Sequence, residues 1–518
     1  MLKECQGASK KFHFMNFGIT KSSIPNIVLL LVFTALLTIL KFFHEPWRDE
    51  LHDYGFMWRR PSALSVFQEF FSAGYLPPPA YFNSIFVLMG GYEYKKWFVW
   101  LVLVVATLLF VQIREIPLIH KAALLMSPYI FFEWSTIDRN YTLILAATLV
   151  ILRQLSLKVR PRYILISLLV LNLLGLWGMF ISVLLVGSVL VFSKNISKLN
   201  LSVYCSSLAI GCLPFLFNIN KGYGGDYEGQ VDFSDPHRKI ELTLRHLFIL
   251  LFGEAGEFPN SWVRIWPRFA SDSIGILIVI IFTFVVLAYG YSMSKKLFLL
   301  LMLSTTVYFI WTSFFYPGGP RHWFFLPFSW IILVFTFKIL WTKSDQDHDR
   351  LSKLRKISMT LLSALVGLQI LSQIPYATKI VMTEIRKPFS SVNQLHFSGF
   401  GKNQILIYPD YLGITFLAER NIEGLFLQGN HVGFFQGYQN LRTINVEELQ
   451  KRCFDETSKP ILLTNQLISE KITKAGIGRI LQTSQPAIVP EEGNISLVLI
   501  YKLCTEKEWR EFVKIIES

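Results

Sequence analysis

Charge is scarce in this chain, and that scarcity is the first constraint on what it can be. Only 17% of the 518 residues are Asp, Glu, Lys or Arg, against 52% hydrophobic, and the mean hydropathy is +0.42. A soluble protein of this length needs more charge to cover its surface. Acidic residues are the scarcer sign, 36 against 50 basic, which leaves a formal net charge of +14 at pH 7. Such an excess can signal nucleic acid. Here, however, Lys and Arg sit in short clusters between apolar runs, where cytoplasmic loops of membrane proteins carry them. Nucleic acid is therefore not an expected partner.

Cysteine is sparse too. There are five, none at metal-ligand spacing, so they point to no cysteine-built metal site. Cys205 and Cys212 lie in an apolar run and read as small buried hydrophobes. Cys453 and Cys504 fall in a polar tail, where an extracytoplasmic position allows a disulfide and two free thiols fit equally well. The N-terminal run, with Lys3, Lys10, Lys11 and Lys21, leads into the first apolar segment without a small-residue cleavage site after it. This predicts a retained first span and a cytoplasmic N-terminus.

What the chain does have is aromatic residues and long apolar runs. Forty-five Phe, twenty Tyr and thirteen Trp suit lipid-facing surfaces and interfacial belts. Runs such as Ile27–Phe43, Ile274–Tyr291 and Ile357–Pro375 approach the roughly 20 residues needed to cross about 30 Å of hydrocarbon. Threading them by the charge rule gives about eleven spans with the tail outside. The stretch Tyr163–Phe192 is too long for one span and basic at both ends. It predicts two short helices turning at Gly175-Leu-Trp-Gly178. Pro117–Trp134 is expected to return outward as one span, while Ser62–Ala73 and Ala80–Met89 read as interfacial or partial helices. The fold class is thus a polytopic α-helical membrane protein, residues 1–376, with a C-terminal extracytoplasmic α/β domain, residues 377–518. In that tail, Gln404–Tyr408, Pro460–Thr464 and Ile495–Leu503 read as strands, and Val446–Arg452 and Glu506–Ile516 as helices.

Polar groups that persist at membrane depth are expensive, so they mark candidate sites. Four recur at outer span ends. Trp47-Arg48-Asp49-Glu50 follows the first span and offers a general base with a second carboxylate to orient it or hold a cation. Gly74-Tyr-Leu-Pro-Pro-Pro79 is a rigid helix entry. Asp138-Arg139-Asn140-Tyr141, with Glu133 before it, pairs a phosphate-binding Arg with a carboxylate. Arg321-His322 follows a Pro-Gly-Gly-Pro turn and could clamp a phosphate. Lys95 and Lys96 lie outside against the usual charge bias, which favours an anionic ligand nearby. Each motif has a plainer explanation as a solvated loop, helix cap or interfacial anchor; their order along the chain is the specific signal.

In that order the pieces resemble the GT-C superfamily of membrane glycosyltransferases. The pattern is closest to protein O-mannosyltransferases, lipid A aminoarabinose transferases and their bacterial relatives. The likeness rests on Asp49-Glu50, Pro77-Pro78-Pro79, Lys95 or Lys96, Asp138-Arg139-Asn140-Tyr141 and Arg321-His322, and it covers Ile24–Asn195 best. Leu76 replaces the His or Lys that precedes the prolines in those families, and Lys replaces Arg at the start of span two. The resemblance implies an inner-membrane enzyme transferring a sugar from a polyprenyl-phosphate donor to a lipid, glycan or protein acceptor. In that scheme Asp49 is the general base, Glu50 orients it, and Asp138 helps hold the acceptor. Arg139, Tyr141, Arg321, His322 and Lys95 or Lys96 bind substrate and its leaving phosphate. A divalent cation on Asp49 and Glu50 is conceivable, but no His or Cys cluster requires one. Rival classes are an O-antigen-type polymerase or ligase, for which His237, Arg238, Arg245, His246, Arg264 and Arg268 in the loop Asn218–Ser273 are the cue, and a lipid-linked sugar flippase. The flippase predicts mid-span charges and internal symmetry, which the sequence does not offer.

Overall fold

The structure is a computed structural model. It describes residues 24–44, 64, 92–127, 130–131, 134–136, 140–193, scattered positions in 201–247, 275–315, 324–340 and 352–367. In the tail it describes 395, 405–409, 412, 424–427, 431–433, 444–454, 460–484 and 494–517. Apolar helices make up the first part and a six-stranded sheet with helices the second.

The helices are α1 (Ile24–Phe43), α2 (Tyr92–Val111), α3 (Leu118–Leu125), α4 (Asn140–Ser156), α5 (Pro161–Leu173) and α6 (Leu176–Ser193). Then come α7 (Gly275–Met293), α8 (Lys295–Ile310), which runs on as π-helical Trp311–Phe315, α9 (Phe325–Leu340), and α10 over residues 352–367. Four of these, α1, α2, α7 and α8 with its extension to Ser313, are long and apolar enough to cross a membrane; α4, α5, α6 and α9 are shorter apolar helices. These helices are compatible with a membrane protein, whereas eleven spans and an orientation go further than they reach.

Side-chain placement explains the bundle. In α1, Leu29, Phe33, Leu37 and Leu40 repeat at helical spacing and are buried, while Val28, Leu31, Val32 and Phe42 face outward. A helix apolar on both faces is compatible with lipid around the outer one. Helix α9 is the most enclosed, with Phe325, Leu326, Phe328, Ile332, Leu333 and Phe337 nearly inaccessible; α4, α6 and α8 surround it.

The predicted hairpin within Tyr163–Phe192 is present as α5 and α6. Its turn needs glycine twice. Gly175 has φ 108°, which residues with a side chain rarely adopt, and a Cβ on Gly178 would collide with the Leu171 carbonyl oxygen. Inside the hairpin, Ser182 Oγ hydrogen-bonds to Asn172 Oδ1 and lies 2.6 Å from Tyr204 Oη. All three side chains are buried.

Two expectations need correction. The stretch Pro117–Trp134 is not one continuous helix: α3 ends at Leu125, Met126 caps it, and a separate π-helical turn occurs at 130–131. Pro128 follows Ser127 in the sequence, and a proline disfavours helical backbone in the residue before it. Eight residues span only about 12 Å. Cys205 is exposed and Cys212 half-buried, because an apolar run does not say which of its faces turns inward.

In the tail, β1 (Ile405–Ile407), β2 (Gly424–Phe426), β3 (His431–Gly433), β4 (Ile461–Asn465), β5 (Gly478–Thr483) and β6 (Ile495–Ile500) form one sheet ordered β3-β2-β1-β4-β6-β5. The central strands β2, β1 and β4 are parallel, and the remaining pairs are antiparallel. Helices α11 (Val446–Leu449), α12 (Gln466–Lys474) and α13 (Glu506–Glu517) complete it. Alternation sends Leu406, Leu462 and Val498 to one face, under Ile472, Trp509 and Phe512, and Ile407, Leu463 and Leu497 to the other. Expected strands and helices all have counterparts; β2, β3, β5 and α12 were not anticipated. Cys453 and Cys504 form a disulfide. The predicted boundary near residue 377 lies outside the described residues.

Candidate functional site

The bundle has two chemically different ends. At one lie Arg114, Lys121, Arg153, Lys158, Arg160, Arg162, Lys295, Lys296, Lys338 and Arg355, with Glu115 as the described acid among them. Several of these cations satisfy carbonyls left open at or near helix C-termini. Lys121 Nζ donates to the Val111 carbonyl at 2.6 Å and to Asn26 Oδ1 at 3.0 Å. Arg153 reaches Gln112 at 3.2 Å, and Arg355 reaches the Ser292 carbonyl at 3.1 Å.

The opposite end gathers described neighbours of three of the four sequence motifs, those at 47–50, 138–141 and 321–322. Helix α1 closes with His44, whose amide donates to the Leu40 carbonyl at 2.8 Å. The His44 carbonyl in turn accepts from Lys96 Nζ at 3.1 Å. Lys41, fully buried in the last turn of α1, donates to the Thr136 carbonyl at 2.7 Å. Lys95 and Lys96 open α2 and are each 4% exposed. Lys96 Nζ also stands 6.0 Å from the Trp97 ring, within reach of a cation–π attraction. Two bonds thus tie the segments before residues 49–50 and 138–139 to each other and to α2.

Beneath these cations is an aromatic wall. Trp134 stacks on Tyr141 (centroids 5.8 Å, 20° between planes) and meets Phe324, Phe325 and Phe328 at 5.3, 4.4 and 4.9 Å. Trp177, from the α5–α6 turn, stacks on Phe325 at 4.4 Å and 5°. Such pairs contribute about 0.5–1.5 kcal/mol each beyond burial. They also make a dry, low-dielectric floor on which fixed charges act more strongly than in water. Trp134 is fully buried, and its Nε1 has no hydrogen-bond partner among the described residues.

Both π-helical stretches, 130–131 and Trp311–Phe315, flank this wall in sequence. An extra residue in a helical turn re-aims the side chains beyond it, and such insertions are frequent at functional sites. The first precedes Asp138 by seven residues and the second precedes Arg321 by six.

Of the candidate residues, Lys95, Lys96 and Tyr141 are described, and all three sit at this end. Asp49, Glu50, Asp138, Arg139, Arg321 and His322 lie outside the described residues, as do the proline run, Ser62–Ala73 and Ala80–Met89. What meets at one place is their immediate neighbours: His44, Thr136, Tyr141 and Phe324. Lys96 has a structural task in closing α1, which the anion-binding expectation did not foresee. Sequence reading missed Lys41, His44, Trp134, Trp177 and Phe325. The available signal was position: Trp134 and Phe324-Phe325 stand within four residues of a motif, and Trp177 lies in the glycine turn. Among the described residues no three His, Cys, Asp or Glu side chains are grouped to hold a metal ion.

No protein-family model matches the chain, and no curated protein or solved structure matches it either.

Proposed function

We propose that this chain is a membrane glycosyltransferase that moves a sugar from a polyprenyl-phosphate donor to an acceptor on the extracytoplasmic side. The observation that supports this most is the meeting of motif neighbours. Segments adjoining residues 49–50, 138–139 and 321–322, separated by up to about 280 positions in the chain, come to one end of the bundle around Lys41, Lys95 and Lys96. The reading thereby gains a reason for the order of the motifs. The motifs at 138–141 and 321–322 adjoin helices that begin on the aromatic wall, and the one at 47–50 follows a helix whose last turn is bonded to Thr136 beside it.

In this reaction Asp49 removes the proton of the acceptor hydroxyl or amine, with Glu50 orienting it. The acceptor atom attacks the anomeric carbon, the bond from that carbon to the phosphate oxygen breaks, and polyprenyl phosphate leaves with the electron pair. Charge grows on that phosphate in the transition state, so Arg139, Arg321, His322 and the nearby lysines lower the barrier by being fixed in place beforehand. Asp138 helps hold the acceptor, and Tyr141 binds substrate. The chain's own residues carry each of these steps.

Two observations support the orientation. The lysine- and arginine-rich end is the cytoplasmic one under the positive-inside rule, which leaves the motif end outside. The Cys453–Cys504 disulfide suits an oxidising compartment, hence an extracytoplasmic tail in a bacterial inner membrane.

The test is transfer from radiolabelled polyprenyl-phosphate sugars to endogenous acceptors in membranes, wild type against Asp49→Asn. The expected result is labelling in wild type and a loss of at least 100-fold in the variant at equal expression, a general base typically contributing about 10²–10⁴. Equal labelling removes Asp49 from the mechanism. Absence of labelling with every donor sinks the reading.

A further inference from the structure

At the cation-rich end, two lysine-bearing chain segments far apart in sequence meet. The α7–α8 turn carries Lys295 and Lys296, and α10 begins with Lys353, Arg355 and Lys356. They are joined by Arg355, whose guanidinium hydrogen-bonds the Ser292 carbonyl through Nη2 at 3.1 Å, three residues before Lys295. Lys296 Nζ lies 3.5 Å from the Val191 carbonyl, which adds the end of α6 as a third wall.

Capping thus engages Arg355 and Lys296. Lys295, Lys353 and Lys356 are exposed, and no described carboxylate comes within ion-pair distance of any of the five. Asp345, Asp347 and Asp349 precede α10 in sequence and lie outside the described residues. The flanks of the patch are apolar and exposed: Leu299 64%, Met359 54%, Ile357 48% and Tyr291 37%. Positive heads above an apolar slope are what a phospholipid with a charged headgroup fits, phosphate against the lysines and acyl chain along the slope.

We infer that the junction of the α6 end, the α7–α8 turn and the start of α10 is a binding site for the phosphodiester headgroup of an anionic phospholipid. It differs from a general charge bias because three helix ends build it and two of its cations are held by backbone bonds. It does not rest on the glycosyltransferase reading and lies at the other end of the bundle from that candidate site.

The test uses the full-length protein in nanodiscs containing equal amounts of dioleoyl phosphatidylglycerol and dioleoyl phosphatidylcholine, with co-purifying lipid counted by native mass spectrometry after transfer to detergent. Wild type should retain phosphatidylglycerol preferentially. The triple variant Lys295→Gln, Lys353→Gln, Lys356→Gln should lose that preference by ~100-fold, at about fivefold per surface lysine. A control triple, Lys158→Gln, Arg160→Gln, Arg162→Gln, removes as many exposed cations from the same end and should keep it. Equal loss in both variants would reduce the effect to net charge and overturn the site. So would the absence of any preference in wild type, or displacement of the lipid by inorganic phosphate alone.

Discussion

Cutting the Cys453–Cys504 bond is the perturbation whose size the structure best defines. The bond joins residues 51 positions apart. In the chain-entropy account, closing a loop of that length costs the unfolded chain about 14 cal/mol/K, or about 4 kcal/mol at 25 °C. Native contacts next to the bond do not depend on it. Phe454 and Leu503 pair through two backbone hydrogen bonds of 2.9 and 2.8 Å, and Trp509 Nε1 donates to the Arg452 carbonyl at 3.1 Å. The folded state should therefore survive, and the loss should fall on the unfolded side. For the double variant Cys453→Ser, Cys504→Ser, the melting temperature of the tail should drop by roughly 10–15 °C, at about 3 °C per kcal/mol for a unit of this size. Differential scanning fluorimetry of the purified full chain, with and without reductant, reads this directly. Wild type should fall to the variant's value on reduction, and the variant should not respond. Maleimide labelling of intact cells then tests sidedness: both thiols should stay unlabelled until reductant is added. A melt unchanged by reduction, or free labelling of both cysteines in unreduced cells, would refute the argument.

The remaining predictions concern one residue each. Glu508 accepts hydrogen bonds from the backbone amides of Thr505 and Cys504, both at 2.8 Å, and these hold its carboxyl down at about 2 from the usual 4.5. A carboxyl lowered on folding adds stability that is complete above about 4.5 and lost as pH falls towards 2. The tail should therefore melt earlier across that window, and Glu508→Gln should flatten the dependence at a cost of about 1 kcal/mol at neutral pH. Gly178→Ala should destabilise the bundle by roughly 1–3 kcal/mol through its clash with the Leu171 carbonyl. Gly187→Ala, whose nearest neighbour would be Leu300 Cδ2 at 3.9 Å, should be within about 0.5 kcal/mol of wild type; equal melts for the two would refute the turn argument. Lys41→Met removes the 2.7 Å bond to the Thr136 carbonyl. A bond to a charged donor contributes about 1.5–3 kcal/mol, so the proposed transfer activity should fall at least tenfold, and unchanged activity would detach Lys41 from the candidate site.

Local physics accounts for what could be read without coordinates. Apolar runs of sufficient length meant long apolar helices, and both α1 and α7 follow their runs closely. Gly175 and Gly178 marked the hairpin turn because residues with a side chain rarely adopt a φ of 108° and a Cβ at 178 would strike a carbonyl. In the tail, Ile461–Asn465 and Ile495–Ile500 were legible as strands because β-branched and leucine residues fill most of their positions. Strands of three residues such as Gly424–Phe426 and His431–Gly433 carry too short a pattern to register. The break after Leu125 was misread because hydropathy sees the run and not the proline after it.

Which groups meet was a separate matter. The sequence by itself determined the long apolar helices, the hairpin and three strands of the tail, each decided within about twenty consecutive residues. Only the tertiary structure set Lys41 against Thr136, 95 positions away, and Lys96 against His44, 52 away. It also paired Cys453 with Cys504, 51 apart, and walled Trp134 with residues of α4 and α9. Many lysines and aromatics in this chain have the same local surroundings. A partner is selected among them by how helices cross and where they end, and that is a property of the whole bundle rather than of any stretch within it.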